Sequence, residues 1–265
     1  MISNPMQLLD PHQFRQLFGA AKSLAVVGNA PTILQYEHGD KIDAQDIVVR
    51  FNRATTTGHE SKIGTRTDIL VVNASNSKKM APPPSETLRP RCMVAFVSPQ
   101  GLPNVDVDAF ADWVGDTPIL FMFGPDILGT PSALRTRPLT SGTYFLYMAL
   151  RLLTFERLFV TGFTMFGAVE GGAGKFYQDN RPGLGLFHDL DAEEVIFSKI
   201  LADYAGELTA TEEVLALLKR NRITMRGTES AMGASTKNSF GKKLAASLSW
   251  RLMAWSMRLR RMSET

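Results

Sequence analysis

Six short apolar runs punctuate the chain: Ser23–Val27, Asp46–Phe51, Asp68–Val72, Cys92–Val97, Pro118–Phe123 and Arg157–Thr161. Each holds its apolar character over successive residues instead of alternating with polar ones. A strand with one wet face alternates, whereas a strand covered on both faces does not. The runs therefore predict strands of a parallel sheet layered between helices. Helical spacing near Pro11–Ala21, Asp106–Val114, Gly142–Leu153, Ala192–Tyr204 and Thr211–Lys219 supplies those layers. The alternation predicts an α/β fold of Rossmann type, a mostly parallel sheet with helices on both faces.

At 265 residues, with 44% hydrophobic side chains, the chain can bury one sizeable core. The single Cys92 excludes an intrachain disulfide framework and a Cys-based zinc site. It reads as a small buried hydrophobe in a strand. No apolar run is long enough to span a bilayer, and the first residues show no signal-peptide pattern.

The net charge of +3 is unevenly spread. Residues 237–265 carry seven basic side chains against Glu264 alone, a net of +6, so the rest of the chain carries −3. A slightly acidic body does not predict nucleic-acid binding. Small, polar 227–239 reads as a linker, which divides the chain into a domain at 1–226, the linker and a basic helix at 240–265. Leu244, Leu248, Leu252, Trp255, Leu259 and Met262 make one face of that helix, with Lys243, Arg251, Arg258, Arg260 and Arg261 supplying charge. A basic amphipathic helix bearing Trp suits a membrane surface with anionic lipids, or packs on the body or a partner.

Several loops punctuate the chain: Pro82-Pro83-Pro84, 130–138 and the Gly-rich stretch 166–185. The first apolar run ends in Gly28-Asn29. There a turn without a side chain lets a ligand approach the backbone, and the Asn amide both donates and accepts. Ala30 and Ile33 stand where a dinucleotide Gly-x-Gly-x-x-Gly would need glycine, and there is no Gly-Lys-Ser phosphate loop. The second run ends in Asn52, so Asn29 and Asn52 are expected at one lip of the sheet. The plainer alternative has Asn52 capping a turn, with Arg50 and Arg53 solvated. Thr140, Ser141, Gly142 and Thr143 stand before a helical stretch, where hydroxyls and backbone N–H groups form an anion site or an ordinary N-cap. His188 is suited to proton transfer near neutral pH. His12, His38 and His59 have no such context and are expected at the surface. Asp106-Val107-Asp108 and Asp189-Leu190-Asp191 read as helix starts, and no metal site is expected.

The pieces share an order. Val27-Gly28-Asn29, Ile42-Asp43, Val48–Ala54, Gly58 and Gly64-Thr65-Arg66-Thr67 closely resemble the long sialyl motif of animal-type sialyltransferases. Pro138–Thr143, Ala149-Leu150 and Val160-Thr161-Gly162-Phe163 are similar to the short motif. Lys175-Phe176-Tyr177 stands where the family has its third motif, and His188 with Glu193 matches the very short one. Four blocks in order over residues 23 to 200 are far more specific than any one alone.

The resemblance implies a GT-A-variant glycosyltransferase fold and a metal-independent, inverting transfer from a CMP-sugar donor. It implies that Gly28, Asn29, Asn52, Gly162 and Phe163 hold the nucleotide, and that Thr140, Ser141, Gly142 and Thr143 grip a carboxylate-bearing sugar, sialic acid or Kdo-like. By the same resemblance His188 is the general base on the acceptor hydroxyl or contacts the donor phosphate, and Glu193 supports local structure. Lys175 replaces the family's His and steadies the departing phosphate as a point charge. Animal members have a disulfide joining the long and short motifs; here Leu24 and Thr154-Phe155 stand in those places. That departure points to a bacterial, cytoplasmic member, peripheral on the inner face of the inner membrane. Its acceptor would be a glycan or glycolipid of lipopolysaccharide type. A non-catalytic CMP-sugar or nucleotide-binding protein of Rossmann type is the alternative.

Overall fold

The computed structural model describes residues 6–74, 88–97, 105–123, 138–165 and 188–222. In chain order the strands are β1 (Leu8–Leu9), β2 (Ser23–Val27), β3 (Ile47–Phe51), β4 (Ile69–Asn73), β5 (Cys92–Val97), β6 (Ile119–Phe123), β7 (Arg157–Thr161) and β8 (Glu207–Ala210). The helices are α1 (Pro11–Phe18), α2 (Gly39–Asp43), α3 (Glu60–Ile63), α4 (Val107–Val114), α5 (Ser141–Leu152), α6 (Leu190–Ala202) and α7 (Glu212–Arg220), with a 3-10 helix at Pro31–Gln35.

All eight strands lie in one sheet in the order β1-β6-β5-β4-β3-β2-β7-β8, and every pairing is parallel. Both faces are dry, as the apolar runs require. Leu24, Val26, Val49, Val71, Val94 and Val160 face one apolar core with helix residues such as Phe145 and Phe197. Their in-between neighbours face away, Ala25, Val27, Val48 and Phe159 into one cluster and Leu70, Val72, Met93 and Ala95 into another. Leu24 and Phe155, which stand where the animal disulfide is expected, share the first core. Cys92 is buried in β5, and burial pushes its thiol up to about 12.

The six apolar runs emerge as strands to within a residue or two at their ends. Two strands escaped the sequence. β1 has only two residues and docks on β6, Leu8 opposite Ile119. β8 is an edge strand of mixed polarity. Arg50, for which a solvated position was one reading, is instead 1% exposed. His38 is half-buried, its ring stacked on Tyr36 and edge-on to Phe159, contrary to the surface position expected.

From β2 onward the sheet order has one reversal. From β2 the chain steps outward through β3, β4 and β5 to β6, then returns to β7 on the other side of β2. In open α/β sheets such a switch point opens a crevice at the carboxyl ends of its two strands.

Candidate active site

A cleft occupies that crevice. It is lined by Gly28, Asn29 and Ala30 after β2, Phe51 and Asn52 at the end of β3, Thr140, Ser141 and Gly142 at the start of α5, and Gly162–Met165 after β7. Its empty space is about 560 Å³, including the part open to solvent. Eight of the nine residues expected to bind the donor line it. Thr143 is fully buried behind them.

The β2 and β7 loops are locked together by backbone. The Gly28 N–H donates to Thr161 O at 2.8 Å and the Ala30 N–H to Gly162 O at 3.0 Å. A Cβ on Gly28 would lie 2.1 Å from Gly162 O. Glycine is required there because one loop crosses the other. Gly162 has φ +74°, which glycine adopts without strain. The Asn29 side-chain amide donates to Phe51 O at 3.0 Å, joining the lips of β2 and β3. Asn52 follows with φ +57°, a left-handed conformation that Asn tolerates better than most residues. Phe51 and Phe163 meet edge to face at 5.8 Å in the cleft lining.

The rest of the long motif lies at the opposite, amino-terminal end of the sheet. The Asp43 carboxylate accepts from the N–H and hydroxyl of Thr65 and from the Arg66 N–H. Arg66 donates to the carbonyls of Asp43 and Gln45 and to the Asp68 carboxylate. Arg50 reaches Arg66 O at 2.9 Å and Ile63 O at 2.6 Å. Burial lowers its guanidinium to about 10, still charged at neutral pH. These residues fasten strand entries and do not touch the cleft.

The start of α5 departs from expectation. Thr140 is the N-cap, yet its side chain makes no capping bond. Its hydroxyl and the Thr143 hydroxyl donate instead to Glu193 of α6, and the Thr140 N–H donates to both carboxylate oxygens at 3.0 Å. Glu193 is fully buried. Desolvation raises its carboxyl above the usual range, against the lowering pull of those hydroxyls, the amide and nearby His188. The first N–H groups of a helix have no partner within it, and here the cap side chain supplies none. Ser141 and those amides therefore carry what anion affinity the helix end offers.

His188 Nδ1 lies 2.6 Å from Pro138 O. A carbonyl only accepts, so Nδ1 carries the proton and Nε2 keeps a lone pair in the neutral ring. His188 is half-buried beside the α5 entrance and does not line the cleft. Asp106 and Asp189 are N-caps, accepting from Ala109 and Ala192 N–H. Lys175, the linker and the basic helix lie outside the described residues. Among the described residues no helix is long and apolar enough to cross a membrane.

Sequence reasoning missed the cleft residues Ala30, Phe51, Thr164 and Met165. It also missed Glu213, a buried carboxylate behind the β7 loop. The one available signal for Glu213 was its place beside Val214 and Leu217 on the apolar face of a short helix.

Residues 3–100 match glycosyltransferase family 29 (sialyltransferase). A CMP-N-acetylneuraminate-beta-galactosamide-alpha-2,3-sialyltransferase 1 of Gallus gallus is 40% identical over 72 residues, 27% of this chain and 21% of that protein. A beta-galactoside alpha-2,6-sialyltransferase 2 of Takifugu rubripes is 46% identical over 56 residues, 21% of this chain and 10% of that one. A beta-1,6-galactosyltransferase of Arabidopsis thaliana is 45% identical over 53 residues, 20% and 13% of the respective chains. The matched stretch thus spans about a tenth to a fifth of these relatives. A mammalian sialyltransferase crystal structure shares the fold with TM-score 0.53 at 18% identity, over 77% of this chain and 73% of that one. The chain is similar to glycosyltransferase family 29, the sialyltransferases, over residues 3–100, which build β1 to β5.

Proposed function

We propose that the protein transfers a carboxylate-bearing sugar from a CMP donor to a glycan hydroxyl. The observation that carries this reading is the cleft at the switch point, where Asn29, Asn52, Gly162 and the start of α5 converge. The two Asn amides suit the donors and acceptors of a cytosine nucleotide. The helix N-terminus suits an anion, the sugar carboxylate or the phosphate, read by Ser141 and backbone N–H groups. Sialic acid and Kdo both present such a carboxylate.

In the transfer, His188 Nε2 takes the proton of the acceptor hydroxyl. The acceptor oxygen bonds to the anomeric carbon as the bond to the CMP phosphate breaks, with inversion. A CMP leaving group carries a single phosphate, which Lys175 and backbone donors would steady without a metal. The basic helix at 240–265 would hold the protein at an anionic membrane surface, on the cytoplasmic face of a bacterial inner membrane, beside a lipid-linked acceptor.

A second reading rests on one finding. Two hydroxyls of the expected carboxylate grip are occupied by Glu193. A neutral-sugar nucleotide donor, in keeping with the plant galactosyltransferase relative, would not need them. Calorimetry with CMP, UDP and GDP separates the two: CMP alone should bind, and binding of UDP alone would replace the first reading with the second. His188→Ala should cut transfer at least a hundredfold while CMP affinity stays within threefold. Transfer near the wild-type rate would remove His188 from the mechanism and leave a nucleotide-binding protein as the better description. Liposome flotation with and without residues 237–265 tests the membrane role, and equal flotation would overturn it.

A further inference from the structure

We infer that Glu213 is a positioning residue that holds the β2 and β7 loops in the geometry the cleft needs. Glu213 opens α7, after every sialyl motif and beyond the stretch that matches the family. It is 7% exposed, and its carboxylate reaches two segments at once. Oε1 accepts the Gly162 N–H at 3.0 Å and the Thr211 hydroxyl at 2.6 Å. Oε2 accepts the Tyr36 hydroxyl at 2.7 Å.

One of these partners, Gly162, lies in the cleft wall, and Tyr36 is joined to that wall through the chain. Gly162 lines the cleft, and its own carbonyl receives the Ala30 N–H. Ala30 caps the 3-10 helix Pro31–Gln35, and Tyr36 is the residue at its far end. One carboxylate therefore ties the β7 loop and both ends of the segment that follows Asn29. The two loops have little freedom to compensate. Gly162 sits at φ +74°, and a Cβ on Gly28 or on Gly162 would strike the other loop's backbone. Tyr36 remains a donor at neutral pH, because burial and the Glu213 contact raise its hydroxyl to about 12. In Glu213→Gln the amide oxygen can still accept the Gly162 N–H and the Thr211 hydroxyl while the amide N–H donates to the Tyr36 oxygen, whereas Ala leaves all three groups without this partner.

The consequence for binding rests on the reading of the cleft as the CMP site; the clamp itself does not. Two measurements on the full chain keep them apart. Hydrogen exchange of the ligand-free protein should show faster exchange at 24–33 and 157–165 in Glu213→Ala, restored in Glu213→Gln. Calorimetry with CMP should show at least a tenfold loss in Glu213→Ala and less than threefold in Glu213→Gln. Glu194→Ala, which removes the Arg220 pair on the neighbouring helix, should lower the melting temperature and leave CMP affinity unchanged. Unchanged exchange in Glu213→Ala, or a Glu213→Gln variant as impaired as Ala, would overturn the clamp. Wild-type protein that fails to bind CMP, with the exchange pattern as expected, would overturn the donor reading and leave the clamp standing.

Discussion

Two buried charges show how the motif residues divide between architecture and chemistry. Arg50 stands inside the long motif, in the middle of a strand, and spends its guanidinium on two carbonyls of the α3–β4 connection. Truncation would leave both carbonyls unpaired and open a cavity. Arg50→Ala should therefore cost about 3 kcal/mol or more in urea unfolding, and Arg50→Lys, which can still reach one carbonyl, distinctly less. Glu193 is the acidic counterpart. Its carboxyl lies above the ordinary value of 4.5 in the folded state because burial disfavours the charge. An acid whose pKa is raised on folding makes the protein less stable as pH climbs from its unfolded pKa toward the folded one. Glu193→Gln lacks that dependence and keeps an acceptor for the Thr140 and Thr143 hydroxyls. Wild type should thus lose stability relative to Glu193→Gln as pH rises above the ordinary carboxylate value of 4.5, measured by denaturant unfolding at each pH. A difference that does not change with pH would mean that the carboxylate is paired well enough to cancel its burial.

Helix α5 is the element on which the site depends most. Its first turn faces the cleft, while its core-facing Phe145, Met148 and Ala149 pack on the sheet. Gly142 is the contact that fixes its approach, since a Cβ there would fall 2.6 Å from the Phe163 ring. That ring is wedged against Phe51 at 5.8 Å and Phe197 at 5.1 Å, so it cannot yield easily. Gly142→Ala should cost about 1–3 kcal/mol and weaken nucleotide binding with it, read by thermal melting and calorimetry on the same sample. The sequence made α5 and the six long strands legible because continuous apolar runs and helical spacing are local signals. It could not reveal that Thr140 and Thr143 turn toward α6. That choice depends on a carboxylate fifty residues away, and hydroxyls before a helix look the same whether they hold a ligand or a Glu. The crossing of the β7 loop over Gly28 was not legible either, because a glycine demanded by another loop is indistinguishable in sequence from one demanded by a ligand. Glu213 hid for the same cause: its partners Tyr36 and Gly162 come from distant parts of the chain.

At the scale of the whole molecule, the stretch that carries the family signature is not a unit of folding. Residues 3–100 contribute β1 to β5. Yet β2 needs β7 as its neighbour, β5 needs β6, and β1 pairs with β6 alone. The first core is closed by α5, α6 and α7, all beyond residue 100. A fragment of residues 1–100 would expose Leu24, Val26, Val49 and Val71 along one face and the open edges of two buried strands. Such edges and faces recruit other chains. The cleft would be lost as well, because its α5 and β7 walls are absent from the fragment. The fragment should show no cooperative thermal transition, bind no CMP and associate at micromolar concentration, as read by calorimetry and light scattering. A cooperative melt with nucleotide binding would mean that the lip formed by Asn29 and Asn52 suffices, and that the switch point between β2 and β7 is not what creates the site.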